Sequence, residues 1–271
     1  MKLFDCHTHL SEYSYADLHD ILTRAEESGV SGALLAGTTI ESTERCIELS
    51  KSDTRLFAGV GIHPSDIKEP MTSAIYDTLM LLAKQPTVIA MSEIGLDGIE
   101  GAPCREIQEE YLIAQIGIAK RMKLPIIYHS RMTYPDILNI LENEQAGEFG
   151  GAAHYFQGDI ATAKKCIELG FDISLARPLL RIPELQEVVG YIPMKHLVLE
   201  TDSYPQTFKK HRTSWTEPRH VKEVAEAVAT IKGITLEEVT EQTGQNLLRM
   251  LGQHATKVKQ LLGANQTRFG D

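Results

Sequence analysis

Four histidines and two acids stand out in this sequence, because each lies at the end of a short apolar run. They are His7, His9, Glu93, His129, His154 and Asp202. A strand that is buried on both faces reads as a continuous apolar run, so a polar group at its carboxyl end lies at the rim of a sheet. Enzymes with α/β folds place their chemistry at that rim. Imidazoles and carboxylates gathered there are typical of a hydrolytic metal site.

The spacing of His7 and His9 supports a shared ion. Alternate side chains leave a strand on opposite faces, so two histidines two residues apart project from the same face. A lone His-x-His pair more often only satisfies local hydrogen bonds. The metal interpretation is favoured here because further candidate ligands end other apolar runs of the chain.

The carboxylate of Glu93 has two oxygens and can bridge a pair of ions. Two ions about 3.5 to 4 Å apart activate a water and stabilise both the attacking and the leaving oxygen of a hydrolysis. Mixed nitrogen and oxygen ligation suits zinc, manganese or iron, and suits magnesium less well. We therefore expect one or two divalent ions, divided between two groups of ligands: His7, His9 and Asp202 in one, and His129 and His154 in the other.

Three neighbouring residues are expected to stay outside the ligand set. Asp5 lies on the same strand as the histidine pair and is expected to hold an imidazole or to cap a loop. Cys6 is expected in the core. Glu200 points away from Thr201 and is expected to form a structural pair behind the end of its strand.

The candidate ligands need elements that bring distant parts of the chain together. Helical periodicity is found over residues 18–25 and 107–119, between apolar runs. This alternation predicts parallel strands joined by crossover helices. Eight such units close into a (β/α)8 TIM-type barrel, an α/β fold whose active sites form at the carboxyl ends of the strands. The predicted strands cover residues 1–4, 32–36, 56–60, 87–91, 125–128, 151–153, 171–175 and 196–199.

A doubly wound open sheet is the competing architecture. Its usual glycine-rich loop after the first strand is replaced here by His7-Thr8-His9. We therefore predict a single barrel domain over residues 1–262, followed by a short polar tail over residues 263–271. The last part of the domain is predicted to contain a polar loop over residues 203–219, a helix start at Glu217 and Pro218, and helices over residues 221–231, 236–243 and 245–251.

The overall composition limits the partners that the protein can have. Its 271 residues are 42% hydrophobic and 24% charged, as in an ordinary globular domain. The formal net charge of -10 disfavours indiscriminate binding to nucleic acid or to anionic membranes, so bound cations must meet any polyanionic substrate locally. No apolar stretch approaches the roughly 20 residues of a membrane span, and the sequence indicates no obligate protein partner. Four widely spaced cysteines predict reduced thiols in a cytoplasmic protein: Cys6, Cys46, Cys104 and Cys166.

Several longer motifs occur in order along nearly the whole chain. They are Asp5-Cys6-His7-Thr8-His9-Leu10, Val60-Gly61-Ile62-His63-Pro64, Ser92-Glu93-Ile94-Gly95-Leu96-Asp97, Leu124-Pro125-Ile126-Ile127-Tyr128-His129-Ser130-Arg131, His154-Tyr155-Phe156-Gln157-Gly158, Leu199-Glu200-Thr201-Asp202-Ser203, Glu217-Pro218 and Asn246-Leu247-Leu248. In these motifs the sequence resembles the TatD-type metal-dependent deoxyribonucleases, which belong to the amidohydrolase-like barrels.

The resemblance implies a barrel with a one- or two-ion site, built from the six candidate ligands, that hydrolyses DNA phosphodiester bonds from the 3' end. In that site Asp202 is both a ligand and the general base for the water, and Asp202 and Glu93 are the expected catalytic residues. His63 matches a family histidine near the substrate phosphate, although an imidazole bonded to the backbone is the plain alternative. Arg131 is a candidate contact for a flanking phosphate.

Three positions depart from the family pattern, and all are in loops that would surround the scissile group. Gly98-Ile99-Glu100 follows Asp97 where aromatic residues are usual, Ser65 replaces a frequent histidine, and Tyr204-Pro205 reverses a usual order. Two other functions therefore stay open: hydrolysis of a small amide, lactone or ester, and a non-catalytic metal-bearing interaction module. Further candidates for phosphate contacts are Arg177, Arg181 and residues 209–212, and for base stacking Tyr155, Tyr204 and Trp215, each with surface or packing roles as the alternative.

Overall fold

Eight parallel strands follow one another around one sheet in the order of the chain. This computed structural model describes residues 1–263, so the predicted tail lies outside the described residues from residue 264 onward. The strands are β1 Leu3–Thr8, β2 Val30–Leu35, β3 Leu56–Val60, β4 Val88–Asp97, β5 Ile126–Arg131, β6 Gly151–Ala153, β7 Asp172–Leu175 and β8 Leu197–Leu199.

Helices follow the strands and cover the outside of the barrel. They are α1 Tyr15–Glu27, α2 Ile40–Ser52, α3 Ser73–Ala83, α4 Arg105–Met122, α5 Tyr134–Asn143, α6 Ile160–Glu168, α7 Pro183–Tyr191, α8 Val221–Lys232, α9 Leu236–Leu251 and α10 Thr256–Leu261. Side-chain caps begin several of them: the hydroxyl of Ser14 accepts a hydrogen bond from Asp17 N at the start of α1. As predicted, Glu217 and Pro218 begin the single helical turn that leads into α8.

The barrel closes between the first strand and the segment that follows the last one. Thr8 pairs with Ser203 in a parallel bridge. His9 N donates to Ser203 O at 2.8 Å, and Asp202 N donates to His7 O at 3.0 Å. The predicted (β/α)8 TIM-type fold is therefore confirmed, and the closing hydrogen bonds involve three of the predicted ligands.

A continuous apolar cluster fills the barrel interior away from the predicted ligands. It draws on seven of the eight strands together with the end of α9 and α10, and its members include Phe4, Leu34, Phe57, Ile89, Ile127, Ala152, Val198, Met250 and Val258. Only the inside of a barrel brings so many strands together, so the interior is a packed core. None of the helices within residues 1–263 combines the length and the hydropathy that a membrane span requires. All four cysteines are free thiols, as predicted, and Cys6 is buried.

The predicted ends of three strands and one predicted helix break are wrong. The strands predicted over residues 1–4, 87–91 and 125–128 extend further, so that His7, Glu93 and His129 lie within β1, β4 and β5. Pairing between β4 and β5 continues as far as Asp97 and Arg131, because both strands keep their hydrogen bonds beyond the apolar runs.

The predicted break near residue 244 is also absent, since α9 is continuous from Leu236 to Leu251. A Cβ atom on Gly244 would lie 2.5 Å from Met1 Cε. The glycine therefore permits close packing of the chain terminus against the helix and does not end the helix.

Candidate active site

The six predicted ligands meet at the carboxyl end of the barrel, next to a pocket of about 940 Å³. Three of them lie within strands and three follow strands, as the parallel arrangement requires. The six residues come from β1, β4, β5 and the segments after β1, β6 and β8. The structure thus brings together every residue that the sequence predicted for the metal site.

Glu93 lies at the centre of this cluster and is almost fully buried. Its Oε2 atom is 3.5 Å from Nε2 of both His7 and His9. Its Oε1 atom is 2.8 Å from Nδ1 of His129 and 3.5 Å from Nε2 of His154. The two oxygens therefore face different histidines, with His7 and His9 at Oε2 and with His129, His154 and also His63 Nε2, at 3.5 Å, at Oε1. This arrangement is expected of a bridging carboxylate.

A glycine after β2 fixes the backbone at Glu93. Gly37 N donates to Ser92 O at 2.9 Å, and Glu93 N donates back to Gly37 O at 2.6 Å. A Cβ atom at Gly37 would lie 2.3 Å from the hydroxyl oxygen of Thr43, so a larger residue does not fit there. No local sequence pattern marks Gly37, because its role depends on contact between the segment after β2 and strand β4.

Asp202 approaches both histidine pairs from the open side of the pocket. Its Oδ1 atom is 3.1 Å from His9 Nε2, 3.9 Å from His7 Nε2 and 3.8 Å from His154 Nε2. Asp202 has a positive φ of 53°, which is uncommon for a residue other than glycine. The sequence analysis grouped Asp202 with His7 and His9 alone, and the structure also brings it close to His154.

Electrostatic shifts follow from this packing of acids and imidazoles. Burial alone would raise the pKa of Glu93, but His63 and His154 outweigh it and hold that pKa well below its usual range. The pKa of Asp202 is also lowered, since the hydrogen bond from His9 and the charge of His154 exceed the effect of burial. Burial would lower the pKa of both histidines, but Asp202 and Glu93 raise the pKa of His9 to about 9. Glu200 and Glu93 raise the pKa of His154 to about 10.

The environment of His7 indicates whether the cluster can bind a metal ion. It is fully buried, and burial and the neighbouring His154 lower its pKa. Its Nε2 atom has no hydrogen-bond partner, although it faces the carboxylates of Glu93 and Asp202. A buried unpartnered nitrogen is costly in a folded protein. A neutral imidazole nitrogen turned toward two carboxylates is the donor set that a divalent ion uses, so the residues fit such an ion.

His63 joins the cluster from the segment after β3. Its Nδ1 atom accepts a hydrogen bond from Ser65 N at 3.1 Å, and its Nε2 atom lies 3.5 Å from Glu93 Oε1. Burial lowers the pKa of His63 to about 4. His63 is therefore a neutral imidazole at the pocket wall, and the backbone bond given as its plain alternative is also present.

Two outer carboxylates hold candidate ligands, and the sequence analysis assigned neither of them to the site. Glu200 is completely buried, and its Oε1 atom is 2.9 Å from His154 Nδ1 and accepts a hydrogen bond from Tyr155 N at 2.7 Å. Asp97 Oδ2 is 3.2 Å from His129 Nε2. Partners of this kind fix the orientation of a ligating imidazole. The available signal for Glu200 was its position directly after β8, at the same strand end as Asp202.

Asp5 and the candidate arginines form hydrogen bonds or ion pairs with other residues of the protein. Asp5 accepts hydrogen bonds from the backbone and the hydroxyl of Thr201, so it braces the turn that carries Asp202 and does not hold an imidazole. Arg131 lines the pocket but binds Asp97 through two nitrogens. Two further candidates are also engaged: Arg177 pairs with Glu223 at 3.2 Å, and Arg212 pairs with Glu217 and stacks on Trp215.

Comparison with known proteins agrees with this geometry. The sequence profile of the family described as TatD related DNase matches residues 4–252. The chain belongs to this family. It is 33% identical over 251 residues to the uncharacterized metal-dependent hydrolase YabD of Bacillus subtilis, a match that covers 92% of this chain and 98% of that protein. It is 31% identical over 269 residues to the uncharacterized metal-dependent hydrolase YcfH of Escherichia coli K12, covering 96% of this chain and 100% of that protein.

Other TatD relatives extend the comparison to a named activity and to solved structures. The 3'-5' ssDNA/RNA exonuclease TatD of Citrobacter koseri is 29% identical, and the match covers 92% of this chain and 99% of that protein. The fold is similar to the crystal structure of YjjV, a TatD homolog from Escherichia coli K12, with a TM-score of 0.83, 24% identity, and coverage of 92% and 97% of the two chains. This member of the TatD family is therefore a metal-dependent hydrolase with the family's barrel.

Proposed function

We propose that the protein is a divalent-metal-dependent deoxyribonuclease that cleaves DNA phosphodiester bonds from the 3' end. The observation that carries this proposal is the position of Glu93, whose two oxygens face different sets of histidines beside the open pocket. Two-ion sites of this kind serve in-line displacement at phosphorus. The name of the Citrobacter koseri relative, a 3'-5' ssDNA/RNA exonuclease, supports the choice of substrate.

The proposed ligands are the six residues of the cluster. Zinc, manganese or iron suits their mixture of nitrogen and oxygen atoms, and magnesium suits it less well. When bound, such ions make a water more acidic and neutralise charge on the phosphoryl oxygens. In this proposal His7, His9 and Asp202 would hold one ion, His129 and His154 would hold the other, and Glu93 would be available to both.

Asp202 and His63 have roles of their own in the proposed reaction. Asp202 is the proposed general base, and its lowered pKa keeps the carboxylate ionised at neutral pH, so it can accept a hydrogen bond from the attacking water and orient it. Nδ1 of His63 accepts a hydrogen bond from Ser65 N, so the neutral ring carries its proton on Nε2. That N–H faces the centre of the cluster and can donate to a phosphate oxygen of the substrate.

The test compares single-stranded DNA with free or blocked 3' ends, using purified protein with measured metal content. We expect release of mononucleotides from free 3' ends only, with loss of activity after chelation and in His129→Ala. Ser130→Ala is a matched control, because Ser130 lies next to His129 and lines the same pocket. DNA that stays intact while an ester, a lactone or an amide is hydrolysed would contradict the proposal.

Hydrolysis of a small carbonyl substrate is the second candidate, and one observation favours it. The two arginines that line the pocket, Arg131 and Arg177, are both paired with acids. A pocket whose cations are already paired has less to offer a chain of phosphates. The same assay with p-nitrophenyl esters and simple lactones separates the two candidates.

A further inference from the structure

Asp97 has an unusually complete set of partners for a side chain at the edge of a pocket. Its Oδ2 atom is 3.2 Å from His129 Nε2 and accepts hydrogen bonds from Ser65 Oγ at 3.1 Å and from Arg131 Nη2 at 2.6 Å. Its Oδ1 atom accepts from Arg131 Nε at 3.0 Å and from Ile99 N at 3.1 Å. Every direction from which this buried carboxylate can accept a hydrogen bond is therefore occupied.

The backbone of Asp97 is held just as firmly. Gln108 on α4 accepts a hydrogen bond from Asp97 N at 2.8 Å and donates one to Asp97 O at 3.0 Å. Asp97 also pairs with Arg131 in the register of β4 and β5. The carboxylate is thus a fixed point against which the imidazole of His129 is oriented.

The guanidinium of Arg131 is the outer part of this arrangement. Two of its nitrogens form parallel hydrogen bonds to the two oxygens of Asp97, a fork geometry that lysine cannot reproduce. The Asp97 side chain is fully buried, whereas that of Arg131 is about half exposed at 49%. A buried carboxylate that lost its guanidinium would keep His129 and Ser65 as its only side-chain partners.

Two of the three departures from the family pattern contact Asp97. Ser65, which stands where a histidine is frequent, donates to one of its oxygens. Ile99, in the segment that lacks the usual aromatic residues, donates its backbone N–H to the other. These altered loops therefore complete the set of hydrogen bonds around Asp97, in addition to any effect that they have on the pocket.

We propose that Arg131 is a positioning residue, which acts through Asp97 to fix the orientation of His129, and that it is not a contact for a substrate phosphate. This inference rests on the proposed role of His129 as a metal ligand. His129 directs Nδ1 to Glu93 at 2.8 Å because Asp97 holds its Nε2. Loss of Arg131 frees Asp97 to move, and the imidazole then loses its defined direction.

The experiment measures the dissociation constant of Zn²⁺ alone, by competition with a fluorescent chelator, for the full-length protein and its variants. For Arg131→Gln we expect a loss of affinity of about 10-fold or more, the lower end of the effect for an outer partner of a metal ligand. Arg131→Lys should lose about as much, because it keeps the charge and removes the fork. Arg177→Gln, which removes the other arginine of the pocket, should leave Zn²⁺ affinity unchanged.

A second measurement tests whether Arg131 acts through Asp97. The double variant Asp97→Asn, Arg131→Gln should bind Zn²⁺ no more weakly than Asp97→Asn alone, because residues that act through one another are not additive. With bis(p-nitrophenyl) phosphate as the probe, Arg131→Gln should lower kcat and leave KM nearly unchanged.

Three results would overturn the inference: unchanged Zn²⁺ affinity in Arg131→Gln, recovery of affinity by Arg131→Lys, or additive losses in the double variant. An increase in KM that Arg131→Lys restores would assign Arg131 to the substrate phosphate. A wild-type protein that binds Zn²⁺ but cleaves no phosphodiester contradicts the proposed substrate, and the affinity measurements still decide the role of Arg131.

Discussion

The two ends of the barrel each contain a buried carboxylate next to histidine, but the two carboxylates have different partners for their charge. At the amino end, Asp172 lies beside a cavity of about 520 Å³ and accepts hydrogen bonds from Arg249 at 2.6 Å, with His196 at 3.3 Å. At the carboxyl end, Glu93 has no arginine or lysine within ion-pair distance among the described residues and faces imidazoles that compete for it.

This difference in partners distinguishes the structural ion pair at Asp172 from the candidate metal site at Glu93. Arg249 satisfies Asp172 with a permanent charge and also donates to the backbone at Lys195, so it ties β7 to α9. The cluster around Glu93 leaves His7 Nε2 without a partner. In barrels of this fold, residues at the amino end generally serve stability, and residues at the carboxyl end serve catalysis.

Glu93→Gln should have the largest effect. The amide keeps the shape of the side chain, but it removes the negative charge and one acceptor atom between the two histidine pairs. Loss of a residue that only contacts a metal ligand lowers metal affinity by up to about 100-fold. Because Glu93 is itself a proposed ligand, we expect metal affinity and hydrolytic activity to fall by more than that. Metal titration and an activity assay measure this, and circular dichroism verifies the fold. If the variant retains bound metal and activity, Glu93 is not a required metal ligand.

Glu200→Gln should have a smaller effect, because Glu200 contacts His154 and not the ion itself. Metal affinity should fall by about 10- to 100-fold. Cys104→Ser is a suitable control, since Cys104 is exposed and precedes α4. Equal affinity for the variant and the wild-type protein would show that His154 needs no outer carboxylate.

The dependence of metal affinity on pH should be gradual. With raised pKa values of about 9 and about 10, His9 and His154 carry protons in the metal-free protein at neutral pH. Metal binding requires neutral imidazoles, so it should release protons, and affinity should rise with pH until about pH 10. Calorimetry in two buffers of different ionisation enthalpy counts the released protons. A proton count of zero at pH 7 would contradict the assigned charges.

The same shifts predict how the metal-free fold responds to pH. Both pKa values lie above the ordinary value of 6.5 for histidine. Their contribution to stability is therefore complete below about pH 6.5 and is lost as the pH rises through about 9 to 10. The melting temperature of the chelator-treated protein should fall across that interval, and metal-loaded protein should show a smaller fall.

Asp172→Asn should leave metal affinity unchanged and lower stability. Removing the charged acceptor of Arg249 costs about 1 to 3 kcal/mol in free energy of unfolding. The half-exposed guanidinium stays solvated, which limits the loss. Urea denaturation measures the effect, alongside the Zn²⁺ competition assay. A loss of metal affinity in this variant would mean that the two ends of the barrel are coupled.

The sequence predicted the barrel and the six candidate ligands that meet at its carboxyl end, because apolar runs and the polar residues at their ends are local patterns. The outer carboxylates were harder to assign. The contact between Asp97 and His129 depends on the pairing register of β4 and β5, and the contact between Glu200 and His154 depends on the turn after β6. The extension of β4 beyond Glu93 depends on its pairing with β5, and the apolar run in β4 alone does not predict it.

The most direct test of the metal centre is anomalous diffraction from crystals grown with Mn²⁺ and measured at the manganese absorption edge. The account predicts anomalous density at the carboxyl end of the barrel, in contact with Glu93 and flanked by His7, His9, His129, His154 and Asp202. The same data from Glu93→Gln crystals should show little or none. Density that is absent from this cluster in the wild-type protein, or that lies instead beside Asp172 and His196, would contradict it.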